Sequence, residues 1–272
     1  METARLLIDP PLTGEQNMAR DEALLRACVP PNTAPVLRFY AWSSPTISLG
    51  YFQDYAAYEG LGPPAGGLAV VRRTTGGGAI LHDLEITYSL ALPRDHPLVR
   101  LRPDRLYQLA HEAIAAAIGH GVRLLGADVP TASPAPSKDE THPPHCDAPS
   151  RHGPFFCFAR RCGLDLVVDD PDGADGVSKI AGSAQRRTPQ AVLQHGSIIL
   201  GSRFAQQPVA TWSALAGETI HFAAALDRLI PAFAAALGLD LDRDAWRPTD
   251  LAAAAALERK YGGTAWTVER RR

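Results

Sequence analysis

Apolar positions change period along the chain, and the changes mark its elements. In NMARDEALLRAC (17–28), Met18, Ala19, Glu22, Ala23 and Leu25 recur at partial helical spacing, and Asn17 is placed to cap the helix. Pro30-Pro31 ends it. Strand-like runs follow at 36–42, 46–52, 68–73 and 79–83, with turn chemistry in Trp42-Ser-Ser-Pro45 between the first two. In EITYSLAL (85–92), Ile86, Tyr88 and Leu90 share one face of a strand. DRLYQLAHEAIAAAI (104–118) returns to helical spacing, with Asp104 as its cap and Gly119 and Gly121 as terminators.

Residues 127–153 have no periodicity and abound in Pro, Ser and polar side chains, so they predict a long mobile surface loop. Strands resume at 164–168, 178–185 and 194–200, with an extended turn at 170–176. Helical patterns close the chain at 219–237, kinked at Pro231, and at 249–261. Interleaved helices and strands predict an α+β, or mixed α/β, fold, and the length allows one large domain or two small ones.

Composition then narrows the classes. The 272 residues are 46% hydrophobic and 21% charged, enough apolar content for a sizeable core. A net charge of −2 removes the electrostatic case for a nucleic-acid binder. No run approaches the ~20 apolar residues of a membrane span, and METARLLIDPPLTG has no basic-then-apolar signal pattern. A cytoplasmic protein is expected. The cysteines are Cys28, Cys146, Cys157 and Cys162, three of them within HPPHCDAPSRHGPFFCFARRC (142–162) beside three histidines. Paired zinc-knuckle spacing is missing there, so no metal is expected, and a small buried hydrophobe is the plain alternative for each thiol.

Three segments carry chemistry. RRTTGGGAILHD (72–83) places Arg72 and Arg73 before Gly76, Gly77 and Gly78, with His82 and Asp83 after them. Without Cβ atoms the backbone can approach a ligand closely, so the loop reads either as a ligand cradle or as a flexible turn with solvated arginines. It is neither a Walker A loop nor a dinucleotide fingerprint. In SKIAGSAQRR (178–187), Lys179 lies in an apolar strand, where an ammonium is costly unless paired, and Gly182-Ser183-Ala184 keeps the adjacent surface small. In FFCFARRCGLDLVV (155–168), Cys157 is a candidate nucleophile if a cation or dipole favours its thiolate. An antiparallel hairpin of 164–168 with 178–185 would bring Cys157 and Lys179 near each other.

Together these segments resemble the lipoate–protein ligase and octanoyltransferase superfamily, which also holds the biotin–protein ligases. NMARDEALL (17–25) resembles its N-terminal helix signature, RFYAWSSPTISLGYFQ (38–53) its first hairpin, and RRTTGGGAILHDLEITYSL (72–90) its acyl-binding loop. KIAGSAQRR (179–187) with LQHGSIIL (193–200), which contains His195, resembles its lysine strand and next element; KYGGTAW (260–266) resembles its C-terminal ending. CF at 157–158 before a strand is most similar to the cysteine-dependent octanoyltransferases of the Gram-positive type.

That resemblance implies a single biotin/lipoate ligase-like catalytic domain over 1–272, without the further small domain many ligases carry. It implies Cys157 as nucleophile and Lys179 as the lysine that activates it. An octanoyl group would pass from octanoyl–acyl carrier protein, through a Cys157 thioester, to a lysine of a lipoyl domain or the glycine-cleavage H protein. Arg72, Arg73, Gly76–Gly78, Gly182, Ser183, Ala184 and His195 would bind substrate; His82 and Asp83 would orient the loop or serve structure. No cofactor is implied for the transfer, whereas an ATP-dependent lipoate ligase would need ATP and Mg. A biotin-type ligase and a non-catalytic acyl-binding homologue are the remaining alternatives. The chain departs from the family pattern at DPDGADGV (170–177), in place of a tight glycine turn. Cys162 and Leu164 also stand where Ser and Tyr are frequent, while Asp165 keeps an acidic residue.

Overall fold

The computed structural model describes residues 2–31, 33–126 and 154–271. The segment 127–153, with Cys146 and its neighbouring histidines, lies outside them. The strands are β1 (Glu2–Ile8), β2 (Val36–Tyr40), β3 (Thr46–Leu49), β4 (Ala69–Arg72), β5 (Ile80–His82), β6 (Glu85–Pro93), β7 (Arg123–Leu124), β8 (Leu166–Asp169), β9 (Val177–Arg187), β10 (Ala191–Ile199) and β11 (Leu239–Arg243). The helices are α1 (Gly14–Ala27), α2 (Ala56–Glu59), α3 (Pro97–Arg100), α4 (Pro103–Ile118), α5 (Trp212–Ala216), α6 (Phe222–Leu237), α7 (Pro248–Tyr261) and α8 (Thr264–Thr267). None of these helices is long and apolar enough to cross a membrane.

An eight-stranded sheet runs β11-β1-β2-β6-β10-β9-β8-β7, and a three-stranded sheet runs β4-β3-β5. The large sheet is mixed: β1 is parallel to β2 and β11, whereas β6, β10, β9 and β8 form antiparallel ladders. The expected mixed α/β fold is present, with two differences of detail. β2 and β3 do not form a hairpin, because Trp42-Ser-Ser-Pro45 carries the chain from one sheet to the other. The terminal strands β1 and β11 pair with each other in parallel, a contact between chain ends that local periodicity does not signal.

Caps also differ. α1 begins earlier than the apolar pattern suggests, because Thr13 and Gln16 form a reciprocal capping box, which frees Asn17 to donate to the carbonyls of Leu12 and Ala41. α4 has no side-chain cap; Pro103 at its first position replaces Asp104 in that role.

β6 shows how alternation assigns the two faces. Ile86, Tyr88, Leu90 and Leu92 join α4 and α6 residues such as Leu106, Ile114, Leu229 and Phe233 in the main core. Phe233 sits edge-on to Phe39 with centroids 5.5 Å apart, a contact worth ~1 kcal/mol beyond its buried area. The opposite face carries Glu85, Thr87 and Ser89, all buried, under α1 and the small sheet. A buried polar face needs partners, and these residues form part of the site.

Candidate active site

Cys157 is seated by main-chain bonds to the glycine loop. Ala79 N donates to Phe155 O (3.0 Å) and Cys157 N donates to Ala79 O (2.7 Å), just as the chain enters a 3-10 turn over Cys157–Ala159. The approach requires Gly78: a Cβ there would stand 2.9 Å from Cys157 N and 3.0 Å from its Cα. Gly77 has φ +91°, a conformation costly for any residue with a Cβ.

Lys179 reaches the same point from β9. The hairpin of β8 and β9 forms as expected, with a register shift between Leu166 and Val167. The Lys179 side chain folds back over Gly182, where a Cβ would lie 2.6 Å from Cε. Its Nζ donates to Asp165 Oδ1 (2.7 Å) and lies 3.7 Å from Cys157 Sγ. The ammonium is 2% exposed. Burial alone would push Lys179 down, but Asp165 and then the Cys157 sulfur more than offset it, so the lysine is held above its ordinary value and stays charged. Asp165 Oδ2 in turn accepts from Cys162 N (2.9 Å), which fixes the carboxylate. Cys28 and Cys157 are the free thiols among the described residues, and Cys162 is disulfide-bonded. Burial, then the nearby Asp95 charge, push Cys28 up to about 12, which leaves it unreactive at neutral pH.

A slender cavity of about 40 Å3 opens beside Cys157 between the two sheets. It crosses the large sheet from Gly182 and Ala184 on β9, past His195 and Ser197 on β10 and Thr87 on β6, to Tyr40 at the end of β2. Three inter-strand steps span roughly 14 Å. Met18 and Trp42 stand on its wall, and Trp42 stacks on His82 with centroids 3.8 Å apart while donating to Thr87 Oγ1.

The polar side chains around it are bonded to one another. His82 lies 2.7 Å from Ser48 Oγ through Nε2 and 3.0 Å from Glu85 through Nδ1. Burial is the largest influence on His82, and it lowers its proton affinity. His195 lies 2.7 Å from Thr75 Oγ1 and 3.0 Å from Asp21, whose carboxylate also holds Arg38 (2.7 Å) and Tyr40 OH (2.9 Å). Arg38 continues to Asp9 at 2.7 Å, so a fully buried arginine bridges two carboxylates. Burial disfavours Asp21's charge, but His195 and Arg38 outweigh it and hold Asp21 below its ordinary value.

The predicted site residues separate into two groups. Cys157, Arg73, Gly77, His82, Gly182, Ser183, Ala184 and His195 meet at the cavity, with Gly76 and Gly78 in the loop above it and Lys179 against the thiol. Arg73 is committed to the loop itself: its guanidinium donates to the carbonyls of Ser48, Gly76 and Gly78. The Ser183 hydroxyl bonds Tyr88 OH and His111 on the α4 side. Arg72 and Asp83 are elsewhere. Arg72 donates to carbonyls of Gly50, Gln53 and Thr267, and Asp83 pairs with Arg203. Asp21, Ser48, Thr75, Glu85 and Arg38 were missed by the sequence reading. For Glu85 and Asp21 the sequence signal is polar residues among the apolar ones of β6 and α1; Arg38, Ser48 and Thr75 lie outside those elements. Among the described residues, no group of three or more His, Cys, Asp or Glu side chains could hold a metal ion.

Residues 13–211 match the family model described as the lipoyl protein ligase A/B catalytic domain. The chain belongs to that family. It is 42% identical over 205 residues to the octanoyltransferase LipM of Moorella thermoacetica, covering 73% of this chain and 66% of that protein. The LipM of Brevibacillus brevis is 35% identical over 201 residues, 74% of this chain and 67% of the relative. With the LipM of Symbiobacterium thermophilum, identity is 33% over 99% of this chain and 100% of the relative. The first two matches thus span about two thirds of those relatives' length. Among solved structures, the T. acidophilum protein Ta0514 with bound lipoic acid superimposes with a TM-score of 0.70 at 21% identity, covering 99% of each chain. A bi-partite lipoate protein ligase from Thermoplasma acidophilum gives 0.65 at 20%, covering 100% of this chain and 98% of that one. These likenesses bear on the fold alone.

Proposed function

We propose that this protein is an octanoyltransferase that carries the acyl group on Cys157. The observation that carries the reading is Lys179 Nζ, 3.7 Å from Cys157 Sγ at the edge of the slender cavity. The octanoyltransferase relatives support the same reading. The donor is octanoyl–acyl carrier protein and the acceptor a lysine of a lipoyl domain or of the glycine-cleavage H protein. The protein works in the cytoplasm.

In the first step the Cys157 thiolate attacks the donor's thioester carbonyl. The new C–S bond forms to Sγ, the bond to the donor sulfur breaks, and that sulfur leaves as a thiolate and takes up a proton. Lys179, held charged by Asp165, attracts the thiolate before attack and the oxyanion during it. In the second step the acceptor's neutral amine attacks the acyl-enzyme. An amide bond forms, the amine loses a proton, and Cys157 leaves as thiolate. The sequence uses no nucleotide and no metal.

An extended eight-carbon chain is roughly 10 Å long at ordinary C–C bond lengths, shorter than the path across β9, β10, β6 and β2. The cavity's 40 Å3 holds about three water molecules, so the acyl chain enters as the walls part. Intact-mass spectrometry after mixing the protein with octanoyl–acyl carrier protein without ATP tests the reading. An octanoyl adduct on Cys157, removed by hydroxylamine, is expected. No adduct, with an acyl-adenylate forming once ATP is added, would overturn it in favour of a ligase.

A further inference from the structure

A second cavity is larger than the one beside Cys157. A space of about 500 Å3 lies where α1, α7, α8 and the end of β9 meet the start of the glycine loop. Its size is that of a small-molecule site, and no step of the transfer derived above uses it. Tyr51 and Trp266 give it aromatic walls.

Its charge is unbalanced. Arg26, Arg186 and Lys260 line it, and Glu22 is the one carboxylate among the lining residues. Glu22 already accepts from Arg26, from Lys260 at 2.6 Å and from Tyr261 OH. Arg186 has no carboxylate partner among the described residues; its guanidinium lies 6.0 Å from the Tyr51 ring centre. The hydroxyls of Thr74 and Thr188 border the same space. A planar guanidinium beside hydroxyl donors suits the oxygens of a phosphate ester.

Its position relates it to Cys157. Thr74 lines the basic cavity and Gly78 touches Cys157 N, and four residues of chain span at most ~14 Å. Along β9, Ala184 borders the slender cavity and Arg186 the basic one, two residues or roughly 7 Å apart. Phe52, 59% exposed, meets the ring of Tyr51 in the basic cavity's wall edge-on and approaches Gly76 of the loop. The two spaces are therefore neighbours, bordered by the same Thr74–Gly78 loop and by the same strand β9.

The geometry points to the basic cavity as a phosphate-ester site that holds the 4′-phosphate of the donor's pantetheine arm while its thioester lies at Cys157. This rests on the transfer reading for its donor. An extended pantetheine chain, with its two amides, is roughly 15–20 Å from phosphorus to sulfur at peptide-like bond lengths, long enough to reach from the basic cavity to Cys157. A free nucleotide shares the phosphate chemistry but cannot place a thioester at Sγ.

The test is calorimetric titration of the whole protein with 4′-phosphopantetheine, pantetheine and AMP. Phosphopantetheine is expected to bind at least tenfold more tightly than pantetheine, and Arg186→Gln and Arg186→Glu to remove that difference while keeping the wild-type far-UV spectrum and melting profile. Equal binding of the two arms, or no effect of either substitution, would overturn the site. Displacement of phosphopantetheine by AMP at equal or lower concentration would reassign it to free nucleotides and overturn the arm. The binding measurement involves no acyl transfer. A chain that forms no Cys157 adduct yet binds phosphopantetheine in this way therefore fails the transfer reading alone. A chain acylated at equal kcat/KM by octanoyl-pantetheine and octanoyl-phosphopantetheine fails this one alone.

Discussion

Asp165 and Lys179 form a buried pair, Oδ1 to Nζ 2.7 Å, which aims the ammonium at Cys157. Asp165 touches no reacting atom and acts through the lysine. Asp165→Asn keeps the shape but removes the charge that opposes Lys179's burial. The substitution should lower the rate of Cys157 acylation by about 10- to 100-fold, an effect of the size of a lost charge-stabilising contact. It should also move the alkaline limb of the pH–rate profile to lower pH, because Lys179 then gives up its proton more readily. A profile of unchanged shape with a reduced plateau would mark the aspartate as structural only.

Gly182 and Gly78 test the fit between backbone and reacting groups. A Cβ at Gly182 would lie 2.6 Å from Lys179 Cε, and one at Gly78 2.9 Å from Cys157 N. Gly182→Ala should displace the lysine and reduce acylation by at least tenfold, at a stability cost of about 1–3 kcal/mol. Chemical denaturation and single-turnover acylation, measured on the same sample, separate the two effects.

Met18 is 3% exposed and stands on the cavity wall across the sheet from Cys157. Met18→Ala should shift acyl preference toward longer chains, since each further buried methylene gains ~0.8 kcal/mol once room exists. Competition between octanoyl and dodecanoyl donors reads the shift directly. An unchanged ratio would place the end of the acyl chain elsewhere.

His111 makes stability depend on pH. Burial lowers it to about 4, although its bond to Leu164 O opposes the shift. An unfolded histidine titrates near 6.5, so the folded state disfavours the protonated form. Stability is fully present above about pH 6.5 and declines as pH falls toward 4, by ~3 kcal/mol. His82, also lowered by burial, acts with the same sign. Urea midpoints between pH 7 and 4 should fall for the wild type and flatten for His111→Gln.

Arg38 supports the cavity from below. Removing it by Arg38→Met leaves Asp9 and Asp21 buried without their shared cation. A loss of about 3–5 kcal/mol is expected, measured as a drop in denaturant midpoint at pH 7.

The sequence made visible what depends on local pattern. The period-two run of β6, the helical spacing of α4 and the glycine loop all occupy the expected segments, and the β8–β9 hairpin brings Lys179 to Cys157 as anticipated. Long-range relations were not legible. Nothing in residues 2–8 signals a parallel partner at 239–243, and Trp42-Ser-Ser-Pro45 has the composition of a hairpin turn although it joins two sheets. Arg72 and Arg73 are adjacent in sequence, yet Arg72 reaches the carbonyls of Gly50, Gln53 and Thr267 while Arg73 reaches those of Ser48, Gly76 and Gly78. A pattern of residue types could not distinguish an arginine that binds substrate from one that holds its own loop's carbonyls.

The slender cavity lies between a three-stranded and an eight-stranded sheet that share no ladder of main-chain hydrogen bonds. Parting its two walls would cost side-chain bonds such as Trp42 to Thr87 and Thr75 to His195, and no ladder bond between the sheets. Guest chains of different girth would then be admitted by the stiffness of those few bonds, so weakening one of them should broaden selectivity without unfolding the protein.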